Sequence, residues 1–358
     1  MTDPLWISLV KAVAVFAFTL TLVPLLVLAE RRISAWMQYR VGPNRVGPFG
    51  SLQPLADLVK MLFKEELRPA GVPAFLFGAA PAIAAICSLF MMAVVPLGGT
   101  LEVGGHSTRM VVADVDVGVL AVLATSSLGV YGITLGGWAS NSKYSLLGGL
   151  RSSAQMISYE LTMGLSLLSV LVLVRRGDAA GLFGSLSLSD IVASQATSGI
   201  WNVVKCPVGF LLFTTAAFAE TNRLPFDLPE AETELVGGYH TEYSAMKFGL
   251  FFLGEYAAMV ASSAVVVCLF LGGWHLPFVT GAEAVGVPGA LLQVGVFVAK
   301  LLAFLFFFIH VRWTLPRFRY DQLMDLGWKV LFPLALANLV YVGIGIAVGL
   351  PWLGGFTR

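Results

Sequence analysis

The sequence predicts an all-α polytopic membrane protein, and three observations support that fold class. Of 358 residues, 57% are hydrophobic and only 12% are charged, about half the charge of a typical soluble domain. The mean hydropathy is +0.83. Apolar runs of roughly 20 residues, the length that crosses the hydrocarbon core of a bilayer, recur along the whole chain. We therefore expect residues 1–358 to form a single transmembrane domain.

Eight such runs predict about eight transmembrane helices. They cover residues 5–29, 74–97, 115–139, 154–174, 203–220, 247–271, 289–311 and 330–350. The first run is expected to be retained rather than cleaved, because no positive segment precedes it and Glu30, Arg31 and Arg32 follow it.

The distribution of positive charge predicts the orientation of the chain. The connections 30–73, 141–152, 221–247 and 312–329 together hold 15 Lys and Arg residues, whereas the opposite side holds 4. Lys and Arg concentrate on the cytoplasmic side of membrane proteins. We therefore expect both termini on the non-cytoplasmic side of the membrane.

The connection 220–247 is an acidic cytoplasmic-side loop in an otherwise apolar chain. It carries six carboxylates, and the next run carries a seventh, Glu255. Burial and neighbouring negative charge both favour the protonated form of a carboxyl group. This cluster therefore predicts proton handling at a membrane.

The connection 30–73 combines a Gly- and Pro-rich first half with an amphipathic second half. Gln53, Asp57, Lys60 and Lys64 fall on one face of a helix, and Leu and Phe residues occupy the other. This pattern predicts a helix lying in the membrane interface. A simple surface anchor is the alternative to a functional role.

The sequence gives no sign of a redox centre, a metal site or a nucleotide site. Cys87, Cys206 and Cys268 are isolated in apolar runs and form no CxxC pair. No GxGxxG or GxxxxGK[ST] segment is present. We expect no bound cofactor or metal in this chain, and no nucleic-acid partner.

Four segments resemble a known family. They read ERRISAWMQYRVGPNRVGPFGSLQPLADLVKMLFKE, SSAQMISYELTMGLSLL, ETNRLPFDLPEAETELVGGYHTEYSAMKFGLFFLGEY and LPRFRYDQLMDLGWK. They resemble the H subunit of bacterial NADH-quinone oxidoreductase, respiratory complex I, the counterpart of mitochondrial NADH dehydrogenase subunit 1. The resemblance covers nearly the whole chain and implies a non-redox, multi-pass subunit of a proton-pumping enzyme in the bacterial cell (inner) membrane.

The resemblance also implies partners and a quinone chamber. Quinone would be the substrate, and the partners would be other membrane-arm subunits, hydrophilic-arm subunits at the quinone site and the lipid bilayer. An amphiphilic quinone needs an apolar tunnel and a few polar groups at its head. The matching chamber positions are Glu30, Arg31, Arg40, Asp57, Lys60 and Glu65.

A second implied set is a proton relay that couples quinone reduction to proton translocation. The matching acids are Glu160, Glu220, Asp227, Glu230, Glu232, Glu234, Glu242 and Glu255. A static polar contact or a solvated loop is the alternative for each acid. Arg151, Arg223 and Lys300 are possible partners, and the sequence does not pair them with particular acids.

Two other functions remain open at this point. One is the homologous membrane subunit of an ion-pumping membrane-bound hydrogenase or formate hydrogenlyase, which would use the acids without quinone. The other is a free-standing secondary transporter, which would predict an internal inverted repeat. No such repeat is visible between the two halves of the chain.

Overall fold

The computed structural model describes residues 4–103, 106–174, 185–230, 232–277 and 286–350. In these ranges the chain is a bundle of helices with one small β-hairpin. In chain order the helices are α1 (Leu5–Met37), α2 (Gln53–Phe63), α3 (Ala74–Val94), α4 (Gly118–Ala139), α5 (Lys143–Leu173), α6 (Leu188–Ser198), α7 (Asn202–Lys205), α8 (Pro207–Glu220), α9 (Glu232–Leu235), α10 (Ala245–Phe270), α11 (Val287–Thr314), α12 (Tyr320–Asp325) and α13 (Phe332–Ala347).

The predicted fold class is confirmed. Within the described residues, seven helical segments are long and apolar enough to span a membrane. The last of these, Tyr320–Ala347, joins α12 to α13 through a π-helical stretch, Leu326–Leu331. The eighth predicted span is the shorter helix α8, whose 14 residues extend about 21 Å.

Two helices are longer than the apolar runs that predicted them. Helix α1 continues to Met37, so Glu30 and Arg31 lie on its last turns rather than in a loop. Helix α5 begins at Lys143, and most of the predicted connection 141–152 is therefore helical. In both cases the helix continues past the apolar run into polar sequence.

Helix α10 lies at the centre of the bundle. In its most apolar 18-residue stretch, 72% of the residues are buried inside the chain, compared with 28% for α1. It packs against α1, α3, α8 and α11, and α3 packs in turn against α4. A Cβ at Gly132 of α4 would lie 2.8 Å from the backbone nitrogen of Ala84, so glycine permits the close approach of α3 and α4.

The predicted amphipathic helix is confirmed as α2. Its apolar face is largely exposed in the isolated chain, including Leu55, Leu62 and Phe63. On the opposite face Asp57 makes the contacts to α1 that are described below. Such a face suits the membrane interface or a partner subunit.

The segment between α8 and α10 is irregular. It contains the four-residue helix α9 and a 3₁₀ turn, Gly238–His240. The backbone N–H of Phe318 donates to the carbonyl of Pro225 at 3.2 Å, and the rings of Phe226 and Phe318 pack with centroids 5.6 Å apart. The acidic loop is thus joined to the connection that precedes α12.

A β-hairpin lies in the connection between α3 and α4. Its strands are β1 (Thr100–Val103) and β2 (His106–Arg109), which pair antiparallel with Thr100 opposite Arg109. Helix α11 packs against β1, and the side-chain oxygen of Gln293 accepts a hydrogen bond from the backbone N–H of Gly99 at 2.9 Å.

Candidate functional site

Arg223 is the centre of a buried charge cluster at the ends of the helices. Its Nε lies 2.8 Å from the carboxylate of Glu255 on α10, and its Nη1 lies 3.4 Å from the carboxylate of Glu30 on α1. Its guanidinium also stacks on the ring of Tyr256, 4.1 Å from the ring centroid. One cation therefore serves two acids from different helices.

Glu30 has further donors. Tyr256 donates its hydroxyl hydrogen to Glu30 at 2.7 Å, and Arg312 of α11 forms an ion pair with the same carboxylate. The residue is only 6% exposed. Removing one partner from a buried ion pair leaves an uncompensated charge and typically costs about 3–5 kcal/mol, so this cluster constrains the positions of α1, α10 and α11.

Two more charged pairs involve acids of the acidic loop, outside the spanning helices. Arg317 donates to Asp227 at 2.8 Å, and the Nε2 of His240 lies 3.2 Å from Glu230. The carboxylates of Asp227 and Glu230 also interact electrostatically with Glu255. The loop pairs and the Arg223 cluster thus form one electrostatically connected group.

The loop environment shifts the ionisation of these groups. Burial raises the pKa of Asp227 to about 6; the Glu230 carboxylate adds to this rise, and Arg317 and Arg312 oppose it. Burial also disfavours the charged forms of Glu230 and His240. Their mutual hydrogen bond and charge attraction nevertheless hold the pKa of Glu230 below its usual value and the pKa of His240 above its usual value.

A cavity continues from Glu255 into the bundle. Its volume is about 60 Å³ for a water-sized molecule, and Glu220 at the end of α8 lines it together with Glu255. Small polar side chains also line it: Ser88, Thr125, Ser126, Thr221, Asn222 and Ser262. Hydroxyl groups can both donate and accept hydrogen bonds, so this lining can hold water between the two acids.

Glu160, on α5, continues this series of acids. Its carboxylate accepts a hydrogen bond from Ser127 of α4 and interacts electrostatically with Glu220. Ser126, the neighbour of Ser127, lines the cavity together with Glu220. The series therefore passes from Glu30 through Arg223, Glu255 and Glu220 to Glu160.

Two further predicted relay acids, Glu234 and Glu242, have no described contact with this series. Glu234 is exposed and pairs with Arg151 at 2.8 Å, and Glu242 is half-buried in the loop. The backbone of Glu232 begins α9, but its side chain lies outside the described residues.

The predicted chamber residues other than Glu30 lie at the surface of the chain. Arg31 donates to Asp57 at 2.6 Å, which joins α2 to the end of α1, and Lys60 is 4.0 Å from the same carboxylate. Arg40 and Glu65 are exposed. The structure thus places Glu30 in the buried Arg223 cluster and the other five positions at the adjoining surface.

The three cations that could pair with the acids make different contacts. Arg223 pairs with Glu30 and Glu255, and Arg151 pairs with Glu234. Lys300 instead donates to the carbonyl groups of Leu271, Gly273 and His275 at 2.6, 3.0 and 2.6 Å. It therefore caps the end of α10 and contacts carbonyl groups rather than an acid.

Sequence analysis did not assign Arg312, Arg317, Tyr256 or His240 to the acid site. The two arginines were visible as positive charges near the last connection, but a charge count does not pair them with acids about 90 or 280 positions away. Within the described residues, no three His, Cys, Asp or Glu side chains come together as a metal ion would require.

Comparison with known proteins gives consistent matches over nearly the whole chain. The family model described as NADH dehydrogenase matches residues 10–343. The NADH-quinone oxidoreductase H 1 subunit of Geobacter metallireducens is 54% identical over 94% of this chain and 95% of its own length. NADH-quinone oxidoreductase subunit 8 of Rhodothermus marinus is 50% identical over 96% of this chain and 98% of its own.

Proposed function

Because the chain belongs to the NADH dehydrogenase family, as a membrane subunit of the NADH-quinone oxidoreductase enzyme complex, we propose that it forms part of the quinone chamber and carries the acids that couple quinone reduction to proton translocation. It is a multi-pass membrane protein of bacteria. The partners that we propose are quinone, other membrane-arm subunits and the hydrophilic-arm subunits at the quinone site.

The observation that supports the coupling role is the position of the buried Arg223 between two acids on different helices, Glu30 and Glu255. Glu30 lies at the end of α1, from which Arg31 reaches Asp57 on α2, so the cluster adjoins the surface group proposed to line the chamber. Glu255 adjoins the cavity that contains Glu220. Arg223 thus connects the proposed chamber to the interior acids.

Reduction of a quinone to a quinol takes up two electrons and two protons. We propose that the electrons come from a partner subunit and that this chain responds only through its acids. A change of charge in the chamber alters the attraction that holds Glu30 and Glu255 around Arg223. Protons would then redistribute between Glu255, Glu220 and Glu160 through the hydroxyl-lined cavity.

The hydrogenase alternative uses the same acids without quinone. The relatives reported above carry quinone oxidoreductase names, which supports the quinone enzyme. Photolabelling of the intact complex with a quinone analogue separates the two functions. We expect labelling of α1 or α2 that excess quinone suppresses, whereas a quinone-free enzyme would show no competition.

The coupling role is tested by Glu255→Gln in the assembled complex. Gln keeps the size of the side chain but cannot exchange a proton at this position, so we expect quinone-linked turnover to fall about tenfold or more. Turnover is measured per amount of this chain in the assembled complex. Glu102→Gln, at an exposed acid on the β-hairpin, is the control and should leave turnover unchanged.

The same two variants can contradict the proposal. If Glu255→Gln assembles and retains the turnover of Glu102→Gln, Glu255 is not part of the relay. A static polar role would then explain its ion pair with Arg223.

A further inference from the structure

The turn that carries Arg223 has an irregular backbone. Asn222 has a left-handed conformation with φ +52, which is uncommon for residues other than glycine. The backbone N–H of Arg223 donates to the carbonyl of Phe218 at 3.3 Å, and that of Phe226 donates to the carbonyl of Arg223 at 2.8 Å. The turn begins beside Glu220 and ends beside Asp227, so its shape sets the positions of three charged side chains.

Gln155 of α5 holds both ends of this turn. Its side-chain Nε2 donates to the carbonyl of Ala219 at 2.7 Å and to the carbonyl of Phe226 at 2.8 Å. The side chain is 0% exposed. An amide NH₂ carries two hydrogens, and here they reach one carbonyl on each side of Arg223.

The orientation of the Gln155 amide follows from these contacts. The opposite orientation would place its oxygen against two carbonyl oxygens, which is repulsive. A third acceptor, the side-chain oxygen of Asn222, lies 3.3 Å from the same nitrogen. Among the described residues the Gln155 oxygen has no hydrogen-bond partner, so its polar contacts all go to the turn.

We propose that Gln155 is a positioning residue that holds Arg223 between Glu30 and Glu255. It touches neither acid and acts through the backbone of the turn. Because the Arg223 contacts to Glu255 and Glu30 are 2.8 and 3.4 Å, a shift of the turn by one ångström would break at least one of them. This inference rests on the proposed relay function of those acids.

The test uses Gln155→Met in the intact complex. Met has a similar length and volume and removes both donated hydrogen bonds. We expect kcat for quinone reduction to fall about tenfold, with no change in KM for NADH.

Gln195→Met is the matched control. Gln195 is also 0% exposed, and it donates to the carbonyl of Cys268 at 2.8 Å near the other end of α10. The oxygen of Gln195 also accepts a hydrogen bond from the backbone N–H of Asn202 at 3.0 Å, so this variant likewise removes buried hydrogen bonds between a side-chain amide and the backbone. We expect Gln195→Met to retain the kcat of the unmodified complex per amount of assembled chain.

A double-mutant cycle with Arg223→Met distinguishes positioning from general structural support. If Gln155 acts through Arg223, Gln155→Met adds no further loss of kcat once Arg223 is replaced. Independent, multiplying losses would overturn the proposal. Should Gln155→Met fail to assemble, Gln155→Asn withdraws the amide by one methylene and enters the same cycle.

The cycle also separates this inference from the proposed function. If Arg223→Met abolishes turnover while Gln155→Met matches Gln195→Met, only the positioning role fails. If Arg223→Met itself keeps full turnover, both the positioning role and the relay through the Arg223 cluster are wrong.

Discussion

At the scale of single residues, the acids of this chain differ in how they are neutralised. Glu30 and Glu255 pair with arginines inside the bundle, and Glu230 pairs with His240. Asp227 pairs with Arg317 but also faces the Glu230 carboxylate. Because burial disfavours its charged form and the Glu230 carboxylate adds to this effect, Asp227 titrates closer to neutral pH than an exposed aspartate does.

The titration of Asp227 predicts a pH dependence. Its pKa is raised to about 6, so the ion pair with Arg317 is present above that pH and is lost as the pH falls through it. We expect kcat/KM for quinone to decrease as the pH falls below about 6. Asp227→Asn should remove this decrease. If the decrease persists in Asp227→Asn, a group other than Asp227 causes it.

At the scale of elements, the fold brings α5 close to the acidic loop. A Cβ at Gly148 of α5 would lie 2.7 Å from the backbone nitrogen of Tyr239, at the turn that carries His240. Glycine at this position therefore allows the turn to contact the helix directly. The same helix carries Gln155 and Glu160, so α5 positions the acidic loop at several points.

This close contact predicts the effect of a single methyl group. Gly148→Ala should displace the Gly238–His240 turn, weaken the pair between His240 and Glu230, and destabilise the complex by about 1–3 kcal/mol. Quinone-linked turnover should fall several-fold.

Gly164→Ala is the matched control on the same helix, because a Cβ there meets nothing within 4 Å. Thermal inactivation and turnover of the two purified complexes check the prediction. Equal behaviour of the two variants would show that the turn adapts without loss.

Sequence periodicity predicted individual elements well. The polar spacing from Gln53 to Lys64 predicted α2 to within one residue of its end, because an interfacial helix shows its period directly. The true end of α1 and start of α5 were missed, since polar residues such as Glu30 and Ser152 interrupt the apolar pattern while the backbone hydrogen bonds continue. Hydropathy predicts which part of a helix lies in the bilayer, not where the helix begins and ends.

At the scale of the whole molecule, the acids and their cations come from distant parts of the chain. Arg223 and Glu30 are 193 positions apart, and Arg312 and Glu30 are 282 apart. Composition and family resemblance indicated which residues carry charge. Their pairing depends on how α1, α10 and α11 pack, which no local spacing encodes, so the cluster could not be predicted from the sequence.

The exposed apolar face of α2 gives a prediction at this scale. Leu62 is 57% exposed, so Leu62→Asp should place a charge in the interface that this face meets and reduce the amount of assembled complex or raise KM for quinone several-fold. Lys64→Asp, on the polar face, is the control. Equal yields and KM values would show that the face contacts water.

The two acids that share Arg223 are not equivalent. Glu30 is surrounded by Arg223, Arg312 and the Tyr256 hydroxyl, whereas the ion pair of Glu255 is with the shared guanidinium. A movement of Glu255 away from Arg223 would therefore leave Glu30 with all three of its partners, so the links that Glu30 makes to α10 and α11 do not depend on the position of Glu255.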